Sequence, residues 1–148
     1  GLSPQGIDYI NAHGTGTKLG DEAELNALGQ LFGGKSESGQ SSETQEVLEG
    51  STGGAAGIRP AISSTKGATG HMMGAGGITE SIACIQAIRE GIVPPTLNLE
   101  QCDSQLDLVC GESRRMPVDT AMTNAFGFGG QNSSLIFRRY SGGKSNDE

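Results

Sequence analysis

The sequence predicts an α/β fold on a mixed sheet, in the order strand, helix, strand, helix, strand, strand. Three observations carry that prediction. Apolar residues alternate through "IDYINAH" (7–13), which is bounded by glycine as strands often are. They recur at helical spacing through "DEAELNALGQLF" (21–32) and "GHMMGAGGITESIACIQAIREG" (70–91). Near the end, "VDTAMTNAFGFGG" (118–130) and "NSSLIFRRY" (132–140) meet at a glycine turn and read as a hairpin-like pair of strands.

The first helix is set by Leu25, Leu28 and Phe32, one face apart by helical steps. Asp21, Glu22 and Glu24 fall in its first turn, where carboxylates suit the positive end of the helix dipole. "GGKSESGQSSETQEVLEGSTGGAAG" (33–57) is low-complexity chain, too poor in apolar area to offset the entropy of ordering. It is expected to be a surface insertion at about 34–57 within a domain running 1–140, with 141–148 as a flexible tail. "RPAISS" (59–64) predicts a short strand. In the second helix Ile78, Ile82, Ile85 and Ile88 share a face, and Ala83, Cys84 and Ala87 oppose them. That pattern predicts burial on most sides. Gly91 ends the helix, with Pro94 and Pro95 just beyond. Residues 94–117 read as extended loop with one short strand near 107–109.

Composition narrows the function classes. The 148 residues suffice for one core, with 34% hydrophobic and 18% charged residues. The net charge is −7, and the basic residues cluster only as Arg114-Arg115 and Arg138-Arg139, so no nucleic-acid footprint is expected. No apolar run approaches the roughly 18 residues that would predict a membrane span. Three cysteines without CxxC spacing argue against a disulfide framework and a zinc site, and for a reducing compartment. The chain opens "GLSPQGIDYI" with no initiator Met and no targeting sequence, which predicts a piece of a longer protein.

One motif misleads. "GQLFGGKS" matches the phosphate-loop pattern at Gly29, Gly34, Lys35 and Ser36. A working phosphate loop follows a strand and opens a helix, whereas this one follows a helix and enters low-complexity chain.

The two histidines are better candidates. A lone histidine is ordinarily structural, but His13 in "NAHGTGT" and His71 in "STKGATGH" each sit in a glycine-rich turn after a predicted strand. Sites of α/β folds gather at such strand ends. A third turn of this kind, "NAFGFGG", follows another strand. Two neutral imidazoles can each give one N–H to a developing oxyanion or enolate. A buried Lys66 needs a carboxylate, and Asp21, Glu24 and Glu80 are at hand. The site therefore suits enolate or acyl chemistry, but no nucleophile is evident. Cys84 lies inside an apolar helix, and Cys102 and Cys110 lie in or beside the extended loop without a strained turn.

"NAHGTGTKLGDEAE", "SSTKGATGHMMGAGGITES", "PPTLNLE" and "NAFGFGGQNSSLIF" resemble, in that order, the C-terminal half of the β-ketoacyl-acyl carrier protein synthases, condensing enzymes of the thiolase fold. The resemblance covers residues 7–32 and 58–140 and implies the C-terminal half of that fold. It implies that His13 and His71 bind the malonyl thioester carbonyl, with Lys66 as the active-site lysine. Asp21, Glu24 and Glu80 would be its supporting acids, and Thr15 and Thr17 would contact the phosphopantetheine arm. Phe128 would gate the acyl pocket, its backbone N–H in the oxyanion hole, within a loop shaped by Phe126, Gly127 and Gly129.

The implied reaction is a decarboxylative Claisen condensation of an acyl thioester with malonyl-acyl carrier protein, with no metal and no redox cofactor. Its nucleophilic cysteine would belong to an upstream half. The implied partners are an acyl carrier protein and, at full length, a second copy; this part alone would be inactive. "STKGATGH" is nearer mitochondrial than plastid synthases, and "HGTGT" occurs also in polyketide ketosynthases. The stand-alone enzyme of fatty acid synthesis is preferred, since the chain stops soon after its last strand.

Overall fold

The computed structural model describes residues 1–32, 59–100 and 104–142. The predicted insertion, Gly34, Lys35 and Ser36 of the phosphate-loop match, Cys102 and the tail from 143 lie outside them.

The predicted order of main elements holds. In chain order they are β1 (Tyr9–Asn11), α1 (Lys18–Phe32), β2 (Ala61–Ser63), the single turn α2 (Lys66–Thr69) and α3 (Gly76–Glu90). Then come β3 (Ile92–Val93), β4 (Asp107–Leu108), β5 (Arg114–Arg115), β6 (Thr120–Gly127) and β7 (Gln131–Arg138). The main sheet runs β4-β2-β1-β6-β7. Its first four strands are parallel, and β7 folds back antiparallel on β6 from Gly127↔Gln131 to Thr120↔Arg138.

Successive residues of β1 face opposite sides of the sheet, so a strand covered on both faces needs apolar side chains toward both. Tyr9 packs beneath α3 with Cys84, Ala87 and Val118, whereas Ile10 packs beneath α1 with Leu28 and Ile62. Both are fully buried, each contributing about 1.5–3 kcal/mol. The sheet is thus the middle of three layers.

Parallel pairing also fixes direction. The starts of β1 and β2 lie together, with Tyr9 opposite Ala61 and Ala61 N–H donating to Asp8 C=O. α1 returns from the far ends of the strands to that starting edge over a rise of about 22 Å. Phe32 and Arg59 therefore lie at the edge opposite the strand ends that carry the histidine turns.

Several expectations are corrected. β1 and β2 are shorter than 7–13 and 59–64, and α1 begins three residues before 21. The second helix does not begin at Gly70. Gly70 (φ 76°), Met72 (φ 54°) and Met73 (φ 44°) are left-handed, which no right-handed helix can pass through. α3 starts at Gly76 and ends as expected, Gly91 donating its N–H to Ala87 C=O with φ 64°.

Its buried face is also different. Ile78, Ile82 and Ile85 are exposed, while Glu80, Ser81, Cys84, Ala87 and Ile88 are buried. The small Cys84 and Ala87 side chains let the helix lie close to β1 and β6, and the isoleucine stripe faces outward.

β5, unforeseen in the 94–117 stretch, pairs antiparallel with β3. Two residues are too few to show a period. Cys110 is disulfide-bonded, against expectation. An odd count excludes complete pairing, not one bridge. No described helix is long and apolar enough to cross a membrane.

Candidate active site

β2 and β1 end side by side at Ser63 and Asn11, and β6 runs beside them through Thr123 and on to Gly127. The turns leaving those ends are therefore neighbours. His13 comes two residues after β1, Lys66 opens α2 after β2, and His71 follows α2. Phe126 comes from the end of β6.

The geometry brings these groups together. The His13 and His71 rings lie 5.6 Å apart, edge to face at 86°. The Phe126 ring packs 5.3 Å from His13. Below them Lys66 donates to the Glu80 carboxylate in an ion pair whose side chains are 7% and 3% exposed. All five border one cavity of about 410 Å³. A second cavity, about 400 Å³, lies against Lys66 and His71 and reaches Thr15, Ser64 and Thr96.

The acids divide their work. Only Glu80 pairs with Lys66 among the described residues. Glu24, buried on α1, accepts from the backbone N–H of His13 (3.0 Å) and Gly14 (2.9 Å). It also accepts from the Asn124 amide (3.1 Å). Its carboxylate thus holds the first histidine turn against β6. Asp21 accepts from Gly16 N–H at 3.3 Å and steadies the same turn from outside.

The turn is crowded. A Cβ on Gly14, whose φ is +35°, would lie 2.7 Å from the Ser64 Cβ. Asn11 donates to Thr65 Oγ1 at 3.1 Å, a second tie between the two turns.

Burial, then the Lys66 charge, pushes the His13 pKa below the usual 6.5. Its imidazole is therefore neutral at pH 7, in the form that accepts or donates one proton. Two imidazole edges beside a buried ammonium ion form a place to hold an oxyanion.

Other predicted residues stand farther out. Thr15 and Thr17 are at the exposed rim, their hydroxyls 3.2 Å apart. Gly127 lines the first cavity, and Gly129 (φ 82°) shapes the hairpin turn. Phe128 stands 97% exposed at that turn, so Phe126 is the phenylalanine that meets the histidine here. Cys84 is fully buried, and burial pushes its thiol up to about 12. It donates to Met122 C=O and is no nucleophile. Gly29 lies inside α1, which removes the strand-to-helix setting a phosphate loop needs. No described cluster of His, Cys, Asp or Glu could hold a metal ion.

Sequence reasoning missed Asn11, Ser64, Thr65, Thr96 and Asn124. Their signal was weak: each is a polar residue at a strand end or turn, where such residues are common.

The profile of the beta-ketoacyl synthase C-terminal domain matches residues 1–100. The chain is 40% identical over 141 residues to 3-oxoacyl-acyl-carrier-protein synthase 2 of Coxiella burnetii, covering 94% of this chain and 29% of that protein. It is 42% identical over 140 residues to the mitochondrial 3-oxoacyl-acyl-carrier-protein synthase of Arabidopsis thaliana, covering 93% of this chain and 26% of that one. The crystal structure of a beta-ketoacyl synthase from Burkholderia phymatum superposes with a TM-score of 0.74 at 37% identity, over 94% of this chain and 29% of that chain. The chain thus spans under a third of these relatives' length.

Proposed function

The chain belongs to the β-ketoacyl synthase family, within its C-terminal domain, and we propose that it supplies the enolate-stabilising half of a condensing site for fatty acid synthesis. The observation that carries this is the meeting of His13 and His71 over the Lys66–Glu80 pair, in one cavity.

In this reading the malonyl thioester carbonyl oxygen lies between the two imidazoles. Loss of CO₂ leaves its electron pair on the α-carbon, and the charge passes to that oxygen. N–H donors already aimed at that oxygen stabilise it more than water, which must reorient, would. The enolate carbon then attacks the acyl thioester carbonyl, and the upstream cysteine leaves as thiolate. Lys66, neutralised by Glu80, holds positive charge near the oxygen without carrying unpaired charge into the interior.

An acyl carrier protein delivers the thioesters, Thr15 and Thr17 meeting its pantetheine arm, and the full-length protein pairs with a second copy. Phe128, Gly127 and Gly129 complete the acyl pocket once the upstream part covers the hairpin turn. A mitochondrial location belongs to this reading; the mitochondrial and chloroplastic Arabidopsis enzymes are 42% and 41% identical to the chain. Cell fractionation that finds the protein only elsewhere overturns that part.

The central test uses the full-length protein. His13→Ala and His71→Ala should each abolish decarboxylation of malonyl-acyl carrier protein. Normal decarboxylation in both would refute the paired-histidine role.

A further inference from the structure

We propose that Thr96 is a positioning residue for the paired-histidine site, acting through Ser64; the inference rests on the site reading above. Thr96 stands in "PPTLNLE", a segment that contributes neither histidine, lysine nor acid to the site. Its backbone is anchored just past β4, where its N–H donates to Val109 C=O at 2.8 Å and it bridges to Cys110. Its hydroxyl oxygen accepts the Ser64 N–H at 2.9 Å.

Ser64 is the junction of the two site turns. Its hydroxyl donates to Gly14 C=O at 2.9 Å, one residue beyond His13. The same oxygen accepts the Lys66 N–H at 3.4 Å, at the start of the turn that leads to His71. One serine thus fastens the His13 turn to the Lys66 turn, and Thr96 fastens that serine to the sheet.

A second contact fits the same role. A Cβ on Gly67 would lie 2.8 Å from the Leu97 carbonyl oxygen. The residue after Thr96 therefore presses on the turn just past Lys66. Thr96 and Leu97 grip the 64–67 turn from one side while Gly14 closes it from the other. Thr96 bonds to neither histidine, so its effect reaches them through the turn they share.

The separation of the imidazoles depends on that fastening, and a displacement near 1 Å in such a site costs on the order of 100-fold in rate. The experiment compares Thr96→Val, which keeps the branched shape but removes the oxygen, with Thr96→Ser, which keeps the oxygen. Both are made in the full-length protein, and steady-state decarboxylation of malonyl-acyl carrier protein is measured beside His13→Ala.

The expected result is a kcat about 10- to 100-fold lower in Thr96→Val with KM unchanged, and near wild-type kcat in Thr96→Ser. Wild-type kcat in Thr96→Val, or an equal fall in Thr96→Ser, overturns the proposal. If Thr96→Val does not fold, Ser64→Ala, which cuts the bond to Gly14, should show the same kcat-specific loss; unchanged kcat there overturns it. Full decarboxylation in His13→Ala overturns the site reading and this inference with it. Loss in His13→Ala beside wild-type kcat in Thr96→Val overturns the positioning role alone.

Discussion

Replacing Glu24 tests how the first histidine turn is held. Its carboxylate receives three N–H donors and gives none. Oε1 takes the His13 N–H and the Asn124 amide, and Oε2 takes the Gly14 N–H. Glu24→Gln keeps the shape but turns one oxygen into an NH₂ group. The better orientation leaves the amide oxygen at the Oε1 site and sets NH₂ against the Gly14 N–H, donor to donor. Hydrogen bonds to charged groups contribute about 1.5–3 kcal/mol each, so the amide variant should lose about 2–3 kcal/mol. Glu24→Ala strands all three donors. Each unsatisfied buried donor costs about 1–3 kcal/mol, and the two backbone groups are only part-buried, so the loss should be about 3–5 kcal/mol. Urea unfolding of the full-length protein reads both as a fall in midpoint at constant slope. A Gln variant as stable as wild type, or an Ala variant that loses less than the Gln variant, would refute this account of the turn.

Further outcomes follow from the same geometry. Gly14→Ala should cost about 2–3 kcal/mol by urea unfolding, because it adds both a positive-φ strain and a Cβ clash with Ser64; a loss within error would contradict the packing. Because the His13 pKa is lowered on folding, its contribution is full above the usual 6.5 and is lost as pH falls from there through the histidine's own lower value. Replacing it with Gln should therefore flatten the stability-against-pH curve in that acid window, and an unchanged curve would show that His13 titrates normally. Alkylation at pH 8 followed by peptide mapping should leave Cys84 unmodified until denaturant is added; rapid labelling of the native protein would show that the thiol is not sealed under α3.

The hairpin was legible because two strand-like runs meet at a glycine turn, and β1 because apolar residues alternate through 7–13. The start of α3 was not. Apolar spacing carries no sign of φ, so the left-handed Met72 and Met73 looked like helix. The helix face failed for a related reason. Periodicity groups Ile78, Ile82 and Ile85 on one side, but it does not say which side meets the sheet, and the small Cys84 side gave the closer fit.

At the site, glycine turns after strands marked both histidines and Lys66. The three acids could not be told apart by composition. Their separation into one lysine partner and two turn holders depends on which face of α1 or α3 each occupies. Ser64 and Thr96 left only a weak mark, since their roles come from contacts 50 and 32 residues apart.

The return of α1 to the starting edge of the sheet makes this chain tolerant at one place. Phe32 and Arg59 join through a connection that leaves and re-enters on the side away from His13 and His71. Closing a loop between fixed ends costs only about 0.6 kcal/mol more for each doubling of its length. Sequence can therefore accumulate between α1 and β2 with little penalty to the site, whereas one added methyl on Gly14 cannot. A fluorescent label or peptide tag meant to leave the chemistry alone belongs in that connection.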